Sequence, residues 1–237
     1  MKEKYQLVIL VIASTCKSIY MDYINIYWKK IIQYIKKKNL SIKVILLFNK
    51  NKDSIDIDSD DYLEFNYEEN FIPGILKKTV DALEYVNKNY DYKHVLRTNL
   101  SSFFIIKNLL KKSNVLKNKK LYAGVENIYT RMKSRPRFLN GAQIWLSRDT
   151  VGLILKKKDK LNYNIIDDVS LGIFFSRNNI KRTKTIRYCY FLEDKGKKSW
   201  QRMNIINKHY HVRLKSFVKN RNNEINILKI LCKKFNI

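Results

Sequence analysis

The sequence predicts a single α/β domain with a mostly parallel central sheet, helices on both faces and a more mixed second half. Two runs and the link between them carry that expectation. Leu7 to Ser14 is an unbroken apolar stretch rich in β-branched residues, as in a strand covered on both faces. From Ile19 to Lys38, apolar residues recur at Ile24, Tyr27, Trp28, Ile31, Ile32 and Ile35 with lysines opposite, the spacing of an amphipathic helix. Ile42 to Phe48 is a second buried strand, so the chain opens β-α-β, the start of a doubly wound sheet.

The remaining elements follow in order. Tyr62 to Phe65 is a short strand, and Pro73-Gly74 breaks the chain before a helix over Ile75 to Asn87. Tyr92 to Arg97 is a strand, Thr98 to Ser102 a polar turn, and a third helix is expected from near Phe103. Leu121 to Val125 and Phe138 to Leu146 read as strands and Arg148 to Lys157 as a helix. Asp167-Asp168 precedes a helix over Val169 to Ser176, one of the pair serving as its N-cap. A strand over Thr185 to Leu192 leads into a polar tail. There His209, His211, Arg213 and Lys215 alternate in strand fashion and are expected on one side. With 6 Gly and 2 Pro among 237 residues, no stretch looks like a linker, and residues 1–237 are expected to form one domain.

Composition narrows the partners less than it first suggests. The 48 Lys+Arg against 21 Asp+Glu give a formal net charge of +27, which attracts any polyanion: nucleic acid, anionic membrane or phosphorylated small molecules. Lys, Asn and Ile are abundant together, as in a coding sequence poor in G and C, so charge alone selects no partner. The lysines are dispersed and no RRM, helix-turn-helix or zinc-finger pattern is present, so no specific nucleic-acid partner is expected. Cys16, Cys189 and Cys232 have neither disulfide nor zinc spacing, which fits a reducing, cytoplasmic setting.

Four ordered segments carry chemistry: Leu76-Lys77-Lys78-Thr79; Val95-Leu96-Arg97-Thr98-Asn99-Leu100-Ser101-Ser102-Phe103; Phe138-Leu139-Asn140-Gly141-Ala142-Gln143-Ile144-Trp145-Leu146-Ser147-Arg148-Asp149; and Asp167-Asp168-Val169-Ser170-Leu171-Gly172. Together they resemble the beta-galactosyltransferase and fringe type of GT-A glycosyltransferases, over about Lys77 to Gly172. The resemblance implies a GT-A-like fold, with a nucleotide-binding half over 1–103 and an acceptor half and tail over 104–237. It also implies inverting transfer of a sugar from a nucleotide-diphosphate carrier to a glycan or other hydroxyl acceptor. The matching acidic pair gives Asp168 the role of general base, with Asp167 beside it.

Other donor-site residues follow from the same match or from topology. Ser14 and Thr15, just after the first strand, resemble the loop that reads base and ribose, and Gly141 lies in the Gly-containing strand. Where the relatives carry a metal-binding acidic triplet, this chain has Asn99, Leu100 and Ser101, an amide and a hydroxyl that cannot neutralise a cation. No metal or other cofactor is therefore expected to be required, although Asn99 and Ser101 can contact a ribose or weakly support a manganese or magnesium ion. The leaving diphosphate is instead expected to meet Lys78, Arg97, His209, His211, Arg213 and Lys215. Trp145 and Trp200 can stack on a sugar or pack in a core. Ile225 to Phe235 has an apolar face flanked by Lys229, Lys233 and Lys234, which admits a peripheral membrane contact as well as packing against the domain. Two other classes compete: a catalytically inactive sugar- or nucleotide-binding relative, and a basic nucleic-acid-binding protein. A glycoside hydrolase would need two carboxylates across the scissile bond, and only one acidic cluster has a motif around it.

Overall fold

A computed structural model describes residues 2–49, 57–68, 70–191, 205–215 and 221–237. They fall into two compact units built from interleaved segments: residues 1–14, 41–99 and 116–185 form the larger, and 15–40, 100–115 and 186–237 the smaller.

The larger unit is built on a seven-stranded sheet. Its strands are β1 (Glu3–Ile12), β2 (Ile42–Asn49), β3 (Tyr62–Phe65), β4 (Tyr90–Asn99), β6 (Tyr122–Ile128), β7 (Arg137–Ser147) and β8 (Arg182–Lys184), in the spatial order β3-β2-β1-β4-β7-β6-β8. Pairing is parallel from β3 through β4 and again between β6 and β8, and β7 alone runs antiparallel to its two neighbours. The mostly parallel α/β architecture expected from the sequence is therefore present. Leu7, Val8, Ile9, Leu10 and Val11 are all buried, so successive residues of β1 are covered on both faces.

Three helices pack on this sheet: α3 (Gly74–Asn89), α5 (Arg148–Lys156) and α6 (Asp167–Arg177). The Pro73-Gly74 break is a helix start, where Asn70 Oδ1 accepts a bond from Gly74 N at 2.6 Å. Leu76, Val80, Leu83 and Val86 of α3, Val151 and Ile154 of α5, and Leu171, Phe174 and Phe175 of α6 join the core against β1, β2, β4 and β7. Helix α6 comes closest at Gly172, where a Cβ would lie 2.6 Å from Phe138 Cβ and 3.0 Å from Arg137 O on β7. Only hydrogen fits there.

The smaller unit holds the amphipathic helix, seen as α1 (Ser18–Tyr23), a π-helical turn over Ile24–Trp28 and α2 (Lys29–Lys37), with all six of its expected apolar positions buried. It also contains α4 (Ile106–Val115), a helix α7 (Asn222–Phe235), and a three-stranded sheet of β5 (Ser102–Phe104), β10 (His211–Lys215) and β9 (Tyr188–Phe191) in the order β5-β10-β9. Two expectations are corrected here. Phe103 lies in strand β5 and the helix begins at Ile106, because Phe103 and Phe104 pack against Tyr27 and Trp28 while Phe104 N donates to Tyr27 Oη at 2.8 Å. The strand expected over Thr185 to Leu192 begins only at Tyr188, as β9, and belongs to a different sheet from β8, which ends at Lys184. Leu192 and Trp200 lie outside the described residues.

Replacing Gly172 with alanine tests the close approach of α6. Alanine favours a helix over glycine by about 1 kcal/mol, whereas overpacking a rigid backbone contact costs about 1–3 kcal/mol. We expect net destabilisation, read as a lower urea midpoint with an unchanged m-value. A variant as stable as the parent would show that β7 yields freely at Phe138.

Candidate active site

The site in the larger unit is organised by a bulge in β7. Gly124 pairs with Ile144 and Glu126 with Leu139, so residues 140–143 of β7 face the single residue Val125 of β6. A bulge of this size removes backbone groups from the ladder and aims them elsewhere. Gly141 N donates to Asp168 Oδ2 at 3.1 Å, Gly141 O accepts from Arg97, and Ala142 O accepts from Thr98 Oγ1 at 2.7 Å. Asn140 Oδ1 accepts from Ala142 N at 3.1 Å and braces the turn. Glycine is required at 141 by proximity, since a Cβ there would overlap the Arg97 guanidinium.

Arg97, on β4, bonds Gly141 O with one arm of its guanidinium and Asp167 Oδ2 with the other. Both partners of this ion pair are buried. Neither acidic residue is the helix cap expected from the sequence. The N-cap of α6 is Ile166, which offers no side-chain bond, and Asp167 and Asp168 are the first two helical residues. One step of helix turns the two carboxylates apart, Asp167 toward Arg97 and Asp168 toward Gly141 N. Asp168 is half-buried, and its Oδ1 has no hydrogen-bond partner among the described residues. Burial, and then the neighbouring Asp167 charge, push its carboxyl up to about 6, with Arg97 and the Gly141 and Val169 N–H groups pulling the other way.

The other expected site residues have varied surroundings. Lys78 is fully buried, and its Nζ donates to Ala13 O at 3.0 Å, which ties α3 to the segment after β1. Lys78 and Arg97 thus direct their charge into the larger unit. Asn99 ends β4 paired with Ile12 of β1, and Ser14 is half-buried two residues beyond that strand. In the smaller unit Thr15 is half-buried, and Ser101 is buried with its carbonyl accepting from Leu214 N at 3.1 Å.

The tail departs from an exposed basic row. His209 precedes the strand and lies beside Tyr188, with its main-chain oxygen accepting from Asn108 Nδ2 at 2.8 Å. β10 is the central strand of its sheet, which buries His211 completely and stacks it on Phe104 with ring centroids 4.7 Å apart. Burial, with the Arg187 and Arg213 charges adding to it, holds the His211 imidazole well below its usual range, so it is neutral. Arg213 is lowered by burial to about 10 and keeps its charge. The backbone of Lys215 pairs with Phe191 at the end of β10. Trp145 is buried in β7 with its ring edge-on to His94, a core position.

Sequence reasoning did not single out the bulge. Its signal was available, because Asn140-Gly141 interrupts an apolar run, and an isolated glycine inside a strand marks a bulge or a close approach. Among the described residues, no three His, Cys, Asp or Glu side chains gather as a metal-binding set. The amide and hydroxyl at Asn99 and Ser101 do not fit a hard divalent cation, whose preferred ligands are carboxylates.

A lone poised carboxylate at a helix start, braced by a strand bulge in a mostly parallel sheet, is a site a GT-A glycosyltransferase can use. The sequence profile described as Galactosyltransferase matches residues 38–185, well over half of the chain, and the chain belongs to that family. Among solved structures, it resembles a glycosyltransferase involved in the glycosylation of the major capsid of PBCV-1 at 9% identity, covering 94% of this chain and 98% of that one with a TM-score of 0.54. It also resembles the galactosyltransferase LgtC, solved with donor and acceptor sugar analogs, at 10% identity, covering 95% of each chain with a TM-score of 0.51. At such identities the likeness is one of fold, and the fold is GT-A. Comparison with curated protein sequences returns no match.

The Asp168 environment makes a prediction about stability. Its folded pKa, about 6, exceeds the ordinary aspartate value of about 3.9, so folding favours the protonated acid. Stability is then lost as pH rises from about 4 through 6, and the full cost of the buried charge remains above that. Asp168→Asn keeps the acceptor for Gly141 N without the charge. It should be more stable than the parent at pH 7 to 8, with the advantage gone near pH 4, as measured by urea denaturation across pH. Equal stability of the two proteins at every pH would remove the strain assigned to this carboxylate.

Proposed function

We propose that the protein transfers a sugar from a nucleoside-diphosphate donor to a hydroxyl acceptor with inversion, and that Asp168 is the general base. The observation that supports this most is the state of Asp168. One carboxylate oxygen is fixed by Gly141 N, while the other is buried and has no hydrogen-bond partner among the described residues. With its pKa near 6 the group is mostly ionised at neutral pH, yet basic enough to take a proton. The acceptor hydroxyl gives its proton to Asp168 Oδ1 as its oxygen attacks the anomeric carbon. The bond from that carbon to the diphosphate breaks, and the diphosphate leaves with the electron pair.

The charge developing on the leaving group needs cations. We propose Arg213 and Lys215, the cationic pair of the tail motif, for that role. A divalent cation is not required in this reading, because the resemblance puts Asn99 and Ser101 in the positions where the relatives carry metal-binding carboxylates. Cys16, Cys189 and Cys232 form no disulfide, which supports a reducing, cytoplasmic setting.

Two experiments test this. Thermal stabilisation by a panel of nucleotide sugars identifies the donor. With that donor, Asp168→Asn should lower turnover by about a hundredfold or more and leave donor binding nearly intact, while the parent's kcat/KM should fall on the acid side of about pH 6. Near-normal turnover would remove Asp168 from the mechanism, and stabilisation by a donor without any transfer would favour an inactive binding relative. Separately, donor affinity measured calorimetrically should survive a chelator and weaken by about 1.5–3 kcal/mol in Arg213→Ala or Lys215→Ala. The pair Asn99→Asp with Ser101→Asp should create metal dependence. Activity lost in chelator and restored by manganese would show that a cation is held without the acidic triplet.

A further inference from the structure

The two units share the protein's charge unequally. Residues 15–40, 100–115 and 186–237 contain 22 of the 48 Lys+Arg but only 4 of the 21 Asp+Glu, so the smaller unit carries +18 of the total +27. Among its described residues the acidic side chains are Asp22, which is exposed, and Glu224, which is buried and accepts a bond from Tyr23 Oη. Little therefore offsets the lysines at the surface.

Those lysines line the outer faces of two helices. On α7, Ile225, Leu228, Leu231 and Cys232 are buried, while Lys229, Lys233 and Lys234 are exposed around Ile230, which is 53% exposed. On α2, Ile31, Ile32 and Ile35 are buried, and Lys30, Lys36 and Lys37 face solvent. Helix α7 packs on the π-helical turn that leads into α2, where Cys232 Sγ lies 3.6 Å from Ile26 O. Burial pushes that thiol up to about 11, with the nearby Lys30 charge offsetting part of the shift.

We propose that the lysine faces of α2 and α7 dock the smaller unit onto an anionic lipid surface, with Ile230 entering the headgroup layer. Clustered lysines around an aliphatic side chain on an amphipathic helix suit a bilayer, where each ammonium meets diffuse negative charge. A nucleic-acid surface would call for aromatic platforms and guanidinium forks. Here 18 of the 22 basic residues are lysines, and the large apolar side chains exposed in this unit, among the described residues, are the aliphatic Val115, Ile186 and Ile230. No described helix is long and apolar enough to cross a membrane, so the contact is peripheral.

The test is co-sedimentation of the whole protein with phosphatidylcholine vesicles, with and without phosphatidylserine, at physiological and raised salt. Binding should require the anionic lipid and weaken with salt. The triple variant Lys229→Glu, Lys233→Glu and Lys234→Glu should lose about tenfold or more in affinity, since each basic residue near such a surface contributes measurably. Ile230→Ser should reduce the binding that persists at raised salt. Lys119→Glu, Lys133→Glu and Lys156→Glu, exposed on the larger unit, make the same charge change as a control and should bind as the parent does. Thermal melts confirm that every variant is folded. Equal losses in both triple variants, or no loss in the first, would overturn the proposal. So would tighter binding to a single-stranded oligonucleotide than to the anionic vesicles.

Discussion

The guanidinium of Arg97 is the point on which the site depends. It reaches from a central strand to a carbonyl released by the β7 bulge and to the first carboxylate of α6, so strand, bulge and helix are fixed by one planar group. A buried ion pair is not by itself a source of stability, because removing both charges from water costs nearly as much as their attraction returns. Its effect is positional. With Asp167 committed to Arg97, the next carboxylate along the helix is left half-buried with the Gly141 and Val169 N–H groups beside it, and burial holds Asp168 above the ordinary aspartate range.

Much of this was legible in the sequence. The buried parallel strands announced themselves as unbroken apolar runs, and the first helix as a 3.6-residue spacing, because each pattern follows from how the element is covered. Three of the four motif segments meet: β4, β7 and α6 bring together Arg97, Gly141, Asp167 and Asp168, while Lys78 of α3 bonds Ala13 O. The misreadings share a cause. Phe103 was read as a helix start because the local run is apolar, but its partners Tyr27 and Phe235 lie far away in sequence. The alternation of His209, His211, Arg213 and Lys215 pointed to one side of a strand, and β10 does run from His211 to Lys215, but alternation says nothing of burial. Strand β10 is paired on both edges and also covered on its faces at His211, Val212 and Leu214, and coverage is a tertiary fact that alternation alone cannot supply.

Charge was the least informative signal when summed and the most informative when located. Lys78 and Arg97 are cations by composition but structural ties by position, each donating to a main-chain oxygen. His211, counted as a cation on paper, is a neutral ring stacked in a core. The net charge is concentrated in the smaller unit, whose basic residues are mostly lysine.

The interleaving of the two units has a consequence for how the chain folds as it is made. The seven-stranded sheet needs nothing beyond β8, so its last strand is available as soon as Lys184 has been synthesised. The first helical segment has a different history. Tyr23 is bonded to Glu224, 201 residues further on, and its neighbours are covered by α7, which emerges late. At about 5–20 residues per second, translation leaves that aromatic face without its final partner for tens of seconds. During that interval Tyr23, Tyr27 and Trp28 present a sticky surface on the nascent chain. The smaller unit is thus the part of the molecule most in need of a chaperone, or of slow synthesis in dilute conditions.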